Sequence, residues 1–344
     1  MAPITNTRVV RAQHLAHGED FSAANFGTDT VELDTQLKEG DILVRNLYAG
    51  LDPFIRYSFS PNSFFDTTIG APVVGWGVGE VIESKNSTYP VKSVVTGFNL
   101  GWEQYTRLSN PQGLWVIPDG HDSKVPITEF VNALGSNGLT AYAAIKASVN
   151  FKKDQIVYIS SAAGPVGSFL ALLAKREGVF VIGSTGSDEK VEYLVKDLGL
   201  DAAINYKTKD LRTELDTVAP NGIDIYFDLV GAETLDIALE KLKPQGQVIA
   251  LGALAAHGPP YESKYLGNLG FIISKSLTIT GFTLFHHLHT MHEFWTEYTP
   301  LIANGEIKSQ KQTVIKGIEN APQAFMDYLN GKYHGKVIID IANL

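Results

Sequence analysis

The sequence predicts an α/β protein in two parts, a small β-barrel and a doubly wound parallel sheet, on three observations. Residues 1–130 alternate short apolar runs with Gly, Pro, Asn and Asp turns. Residues 131–305 alternate strand-like and helix-like runs, the pattern of a sheet covered on both faces. A β-branched run near the end, KVIIDI from Lys336, has the texture of the first part, so residues 306–344 are expected to return and complete it.

In the barrel part DILVRNLYAGL, VVGWGVGEVIES, SVVTGF and LWV read as strands, while ANFGTDTVELDTQLKEG, from Ala24, reads as a solvated loop. In the second part QIVYISS, VFVIGST, AAINY, IDIYFDLV, GQVIALG and SLTITGF read as strands. SFLALLAKREG, EKVEYLVKDLG and TLDIALEKLK read as helices between them.

Composition narrows the partners. The chain has 344 residues, 44% of them apolar, and a net charge of −9 with no basic stripe, which argues against nucleic acid and for a small molecule. It has no cysteine, which excludes disulfides, iron–sulfur ligation and every thiolate zinc site. The first residues lack the apolar core of a signal peptide and no run reaches membrane-span length, so the expectation is a soluble cytoplasmic protein.

The chemistry-bearing motif is AAGPVG, Ala162 to Gly167, between a strand and a helix. It matches the dinucleotide fingerprint with alanine in place of the first glycine. Gly164 lets backbone approach a pyrophosphate, Gly167 lets helix pack on strand, and the helix start, with Pro165 as its first residue and Val166 next, offers the free N–H groups that follow Pro165 and partial positive charge. The next strand ends in Gly183, Ser184, Thr185 and Gly186, where an NAD site usually carries a carboxylate. Ser184 leaves room for a 2′-phosphate, with Lys190 for charge and Tyr206 for a hydrogen bond, which favours NADPH; Asp188 and Glu189 nearby pull the other way.

The ordered series LDPFIRY, GAPVVGWGVGEVIESKN, GWEQYTRL, LGSNGLTAYAAI, AAGPVGSFLALLAK, GSTGSDEKVEYL, NYKT, YFDLVGAETLDIAL, SLTITGF and GKYHGKVII resembles the zinc-free medium-chain dehydrogenase/reductases. The branch it resembles contains prostaglandin reductases, leukotriene B4 dehydrogenases and alkenal double-bond reductases, and the resemblance covers nearly the whole chain. It implies a GroES-like barrel at 1–130 and 306–344, a Rossmann domain at 131–305 that binds NADPH, and a homodimer. It implies reduction of the carbon–carbon double bond of an α,β-unsaturated aldehyde or ketone, hydride going to the β-carbon while donors stabilise the enolate oxygen. By the same resemblance Gly252, Phe282, Thr283 and Tyr333 contact the cofactor, and Phe285 lines the substrate pocket. A quinone oxidoreductase and an NADPH-binding protein without catalysis are the competing readings.

Four positions depart from the pattern. Phe54 replaces a tyrosine, Leu229 an asparagine, His257 the tyrosine near the substrate carbonyl, and Tyr333 an asparagine. His257 can donate to an enolate oxygen and supply a proton, and Tyr57 is a second donor candidate beside Arg56, itself readable as a loop anchor. Phe54 and Leu229 suggest a drier pocket and a bulkier substrate. His286, His289 and His292 recur at spacings of three, as on one helical face with His287 between, but no carboxylate or thiolate accompanies them at motif spacing, and the expectation is no metal.

Overall fold

The structure is a computed structural model and describes residues 3–16, 19–61, 63, 67–109, 111–257 and 266–344, the side chains of Ala256 and His257 excepted. The chain packs as two compact units, residues 1–136 with 298–344 and residues 137–297. The divisions fall at 136/137 and 297/298, inside helical segments, whereas the sequence pattern places its changes of texture at 130/131 and 305/306.

The first unit begins with β1 (Ile4–Arg11), β2 (Phe26–Leu33) and β3 (Asp41–Leu51). β2 overturns the expected loop: it pairs antiparallel with β1 over its whole length, Ile4 opposite Leu33 and Arg11 opposite Phe26. Its side chains alternate between half-buried and exposed, so a two-residue period is present without a buried apolar face to announce it. β4 (Val74–Ser84), β5 (Val94–Gly101), β6 (Tyr105–Ser109) and β7 (Leu114–Val116) follow, antiparallel to their neighbours.

Helix α1 (Ser136–Ser148) opens the second unit. Its chain then alternates β8 (Ile156–Ile159), α2 (Pro165–Arg176), β9 (Phe180–Thr185), α3 (Asp188–Glu192), β10 (Ala202–Asn205), α4 (Leu211–Val218) and β11 (Ile223–Asp228). The run ends with α5 (Ala232–Lys241), β12 (Leu242–Ala250), α6 (Gly270–Ser274), β13 (Thr278–Gly281) and α7 (Met291–Ala303). The strand order is β10-β9-β8-β11-β12-β13, every pair parallel, so the order reverses between β8 and β11 as in a doubly wound sheet. Val157, Ile159, Val181, Ile182 and Phe227 are fully buried in it, each contributing about 1.5–3 kcal/mol of transfer free energy. EKVEYLVKDLG is not one regular helix: α3 gives way to a π turn at Tyr193–Asp197.

The chain then returns as β14 (Gln312–Lys316), α8 (Ala321–Leu329) and β15 (Lys336–Asp340), and β15 inserts between β14 and β3. β15 is tied to the end of β3 by a buried ion pair, Lys336 Nζ to Asp52 Oδ1 at 2.5 Å. Phe325, Val337 and Ile339 complete an aromatic-rich core with Phe59 and Trp102. Among the described residues, no helix is long and apolar enough to cross a membrane.

Candidate functional site

Because all six strands of the second unit run the same way, every segment that follows a strand emerges at one edge of the sheet. That edge gathers the glycine turn after β8, Gly186 after β9, Tyr206 after β10, and the loops after β11, β12 and β13.

The glycine turn is tight. The Ala162 N–H donates to the Ser184 carbonyl of β9 at 3.0 Å, and the Gly164 N–H donates to the Ser161 carbonyl at 3.0 Å. Gly164 caps α2 and Pro165 opens it, where a missing N–H costs nothing. A Cβ on Gly167 would lie 2.5 Å from the Ser161 oxygen and 2.8 Å from the Ala162 Cα, so only glycine lets the helix start this close to the turn. The first-turn N–H groups of Val166 and Gly167 have no carbonyl one turn earlier within the helix to meet, and they stand at the positive end of the helix dipole. The residues present therefore fit a pyrophosphate.

The end of β9 is cationic. Around Gly186, Tyr206 Oη and Lys207 Cε each stand 3.2 Å from where a Cβ would be. Tyr206 is half exposed, and Lys190 reaches the same region from α3. Burial, then the positive charge of Lys207, pulls the Lys190 ammonium below the usual lysine range. Lys207 was not singled out in the sequence. Of the two carboxylates that argued against a 2′-phosphate, Asp188 is engaged elsewhere, its Oδ1 accepting from Asn205 Nδ2 at 2.7 Å, while Glu189 acts on Lys190 and favours its charged form. Ser184 is buried, and its hydroxyl pairs with the Tyr158 hydroxyl at 2.8 Å.

Beyond the switch point, Leu229 is buried, and Gly252 runs so close to it that a Cβ would stand 3.0 Å from the Leu229 oxygen. His257 ends a short 3-10 turn, Leu254–His257, and its imidazole lies outside the described residues. Phe282 donates its N–H to the Ala250 carbonyl and stacks on His287 at 4.7 Å and 14°. Thr283 and Phe285 are exposed on the same segment. Burial and the neighbouring charges of His289 and His286 hold the His287 ring below the usual histidine range. The histidines do not share a helical face: His286 and His289 sit in separate 3-10 turns and His292 in α7. The Thr290 hydroxyl donates to the His287 carbonyl and helps to break the chain there.

In the barrel unit, Phe54 and Tyr57 lie on the 3-10 segment Pro53–Phe59 that Asp52 caps. Phe54 meets Phe98 edge-on at 5.8 Å, and the Tyr57 side chain is exposed. Arg56 is an anchor, donating to the Glu19 carbonyl at 2.5 Å and lying over the Phe21 ring. Tyr333 packs half-buried against the barrel core.

Comparison with known proteins follows these two units. A family described as zinc-binding dehydrogenase matches residues 165–304, and one described as the N-terminal domain of oxidoreductase matches residues 16–117. A zinc-type alcohol dehydrogenase-like protein of Schizosaccharomyces pombe is 37% identical over 97% of this chain and 94% of its own. The NADP(+)-dependent 2-alkenal reductase of Nicotiana tabacum is 31% identical over 98% of each. The chain belongs to the zinc-free medium-chain dehydrogenase/reductases. The zinc in the matching family's description has no thiolate to bind in this member, which lacks cysteine altogether. Among solved structures, the reductase-family fold is shared by CurA from Vibrio vulnificus in complex with NADPH, 26% identical, TM-score 0.84, covering 97% of this chain and 99% of that one. The fold class is the expected one, a GroES-like barrel with a Rossmann sheet.

Proposed function

We propose that this medium-chain reductase uses NADPH to reduce the carbon–carbon double bond of α,β-unsaturated aldehydes or ketones. The observation that carries the reading is one sheet edge holding both a phosphate-sized glycine turn and, at the next strand end, Lys190, Lys207 and Tyr206 grouped about Gly186. The tobacco relative's activity on 2-alkenals supports the substrate class. NADPH, when bound, supplies the hydride. Val166 and Gly167 donate to the pyrophosphate, Lys190, Lys207 and Tyr206 hold the 2′-phosphate, and Gly252 lets the chain approach without a side chain between. Phe282, Thr283 and Tyr333 flank the cofactor. Phe54, Leu229 and Phe285 exclude water from the substrate, which strengthens any donor acting on the enolate oxygen. His257 and Tyr57 are the donors in this proposal.

The protein acts as a homodimer through the β13 edge. β13 pairs with β12 alone among the described strands, and Ile279 in it and Ile273 on α6 are 42% and 85% exposed.

The test is loss of the reduced-nicotinamide absorbance with NADPH or NADH against alkenals, alkenones and quinones. NADPH oxidation by enones that falls in Tyr57→Phe or His257→Phe is expected. Oxidation by quinones alone, or binding with no turnover on any acceptor, overturns the substrate assignment.

A further inference from the structure

Beneath the same sheet edge runs a buried polar chain that the proposed chemistry does not use. Tyr158 and Tyr226 stand side by side in register on β8 and β11, their rings stacked at 4.9 Å and 12°. The Tyr226 hydroxyl lies 2.7 Å from Asp228 Oδ1 and 3.0 Å from Ser160 Oγ. Ser160 Oγ also accepts the Leu229 N–H at 2.9 Å. Asp228 Oδ1 further accepts the N–H groups of Val230 at 3.0 Å and Gly231 at 2.7 Å, so one carboxylate oxygen gathers three donors. The Asp228 carbonyl in turn accepts from Leu251 at 2.8 Å and Gly252 at 3.1 Å, on the loop after β12.

Two neighbouring loops of the edge thus depend on one residue: its side chain shapes the loop after β11 and its main chain holds the loop after β12. The two loops meet closely here, since a Cβ on Gly252 would stand 3.0 Å from the Leu229 carbonyl oxygen. A buried carboxyl is retained only where such partners satisfy it, and burial holds Asp228 above the usual carboxylate range despite them.

We infer that Asp228, with Tyr226 and Ser160, is a positioning unit that sets NADPH affinity by fixing the loops after β11 and β12, without touching the cofactor. The inference rests on the NADPH reading above. Asp228→Ala strips the acceptor from three donors, whereas Asp228→Asn keeps an amide oxygen for them. Tyr226→Phe keeps the stack on Tyr158 and removes only the hydroxyl.

The experiment is NADPH titration by nicotinamide fluorescence on the full chain, with amide hydrogen exchange over residues 229–231 and 251–252. Asp228→Ala is expected to raise the NADPH Kd at least 10-fold and to speed exchange in both loops. Asp228→Asn is expected to stay within about 3-fold of the wild-type Kd and Tyr226→Phe to fall between. A merely structural residue would lower Tm and leave the Kd of the folded protein unchanged. Wild-type affinity in Asp228→Ala or Tyr226→Phe, or equal losses in Asp228→Asn and Asp228→Ala, overturns the inference. If Asp228→Ala does not fold, the Tyr226→Phe and Asp228→Asn titrations decide it. Failure of the wild type itself to bind NADPH overturns the cofactor reading and this inference together, whereas wild-type binding with unaffected variants overturns this inference alone.

Discussion

Gly164 and Gly167 stand in one turn, and alanine at each position tests a different property of it. At Gly167 the new Cβ meets the Ser161 oxygen at 2.5 Å and the Ala162 Cα at 2.8 Å, where ordinary contact begins near 3.4 Å. Both obstacles are backbone, so the first turn of α2 must retreat by roughly 1 Å, an overpacking cost of about 2 kcal/mol. For a unit of this size that is a Tm lowered by about 4–8 °C. At Gly164 the nearest atoms are the Ser161 oxygens at 3.2 and 3.4 Å and φ is −78°, so alanine fits at a cost below about 1 kcal/mol. Its methyl nonetheless stands where phosphate approaches the first-turn N–H groups. Losing one charge-assisted hydrogen bond, about 1.5–3 kcal/mol, raises the NADPH Kd about 10- to 100-fold. Thermal unfolding followed by circular dichroism and NADPH titration separate the two effects. A Gly164→Ala protein that binds NADPH like the wild type would refute the phosphate cradle, and an unchanged Tm in Gly167→Ala would refute the packing argument.

Five further outcomes are expected. Lys207→Ala lowers the NADPH-over-NADH preference by about 10-fold with NADH affinity unchanged, measured by paired titrations. Because a bound phosphate favours the charged form of Lys190, which burial and Lys207 make easier to deprotonate than an ordinary lysine, NADPH affinity of the wild type weakens as alkaline pH removes that charge, and in Lys190→Ala this part of the slope disappears. His287 is held neutral when folded, so unfolded chain takes up the proton first as pH falls below about 6.5; Tm drops from pH 7 to 5, and His287→Phe, which keeps the stack on Phe282, flattens part of the drop. Lys336→Met leaves the Asp52 carboxylate buried without its cation and costs about 3–5 kcal/mol in chemical denaturation, with Asp52→Asn in the same chain restoring part. Ile279→Lys gives a monomer in sedimentation, and a dimer persisting there would refute the β13 interface.

The parallel sheet was legible because its strands are short β-branched runs ended by glycine or asparagine, and the turn at Ala162–Gly167 because its glycines answer to sterics local in sequence. α1 carried no such signal: Leu139, Ala141, Ala143 and Ala144 are buried around most of its circumference, which leaves no polar stripe to mark a period. β2 hid for the opposite reason: Thr28, Thr30 and Glu32 are exposed on one face, and the other is only half-buried, with Asp29 among its residues. Lys207 reads as a solvated loop lysine until β10 pairs with β9, Asn205 beside Thr185, and carries it over Gly186. Ser184 shows what strand alternation adds to residue type: it turns the hydroxyl toward Tyr158. Spacing alone made the histidines look helical, whereas the 3-10 turns about His287 are fixed by the Phe282 stack and the Thr290 hydroxyl.

The Asp52–Lys336 pair joins positions 284 residues apart in the chain. During synthesis the aspartate leaves the ribosome long before its lysine exists, and the whole second unit is made in the interval. The sheet of residues 137–297, whose strand pairs all lie within that stretch, is free to close first. The barrel must wait, its β3 edge open and Asp52 still hydrated, until β15 arrives to cover both. A strand made only after the whole second unit is therefore the one that ends the exposure of the β3 edge.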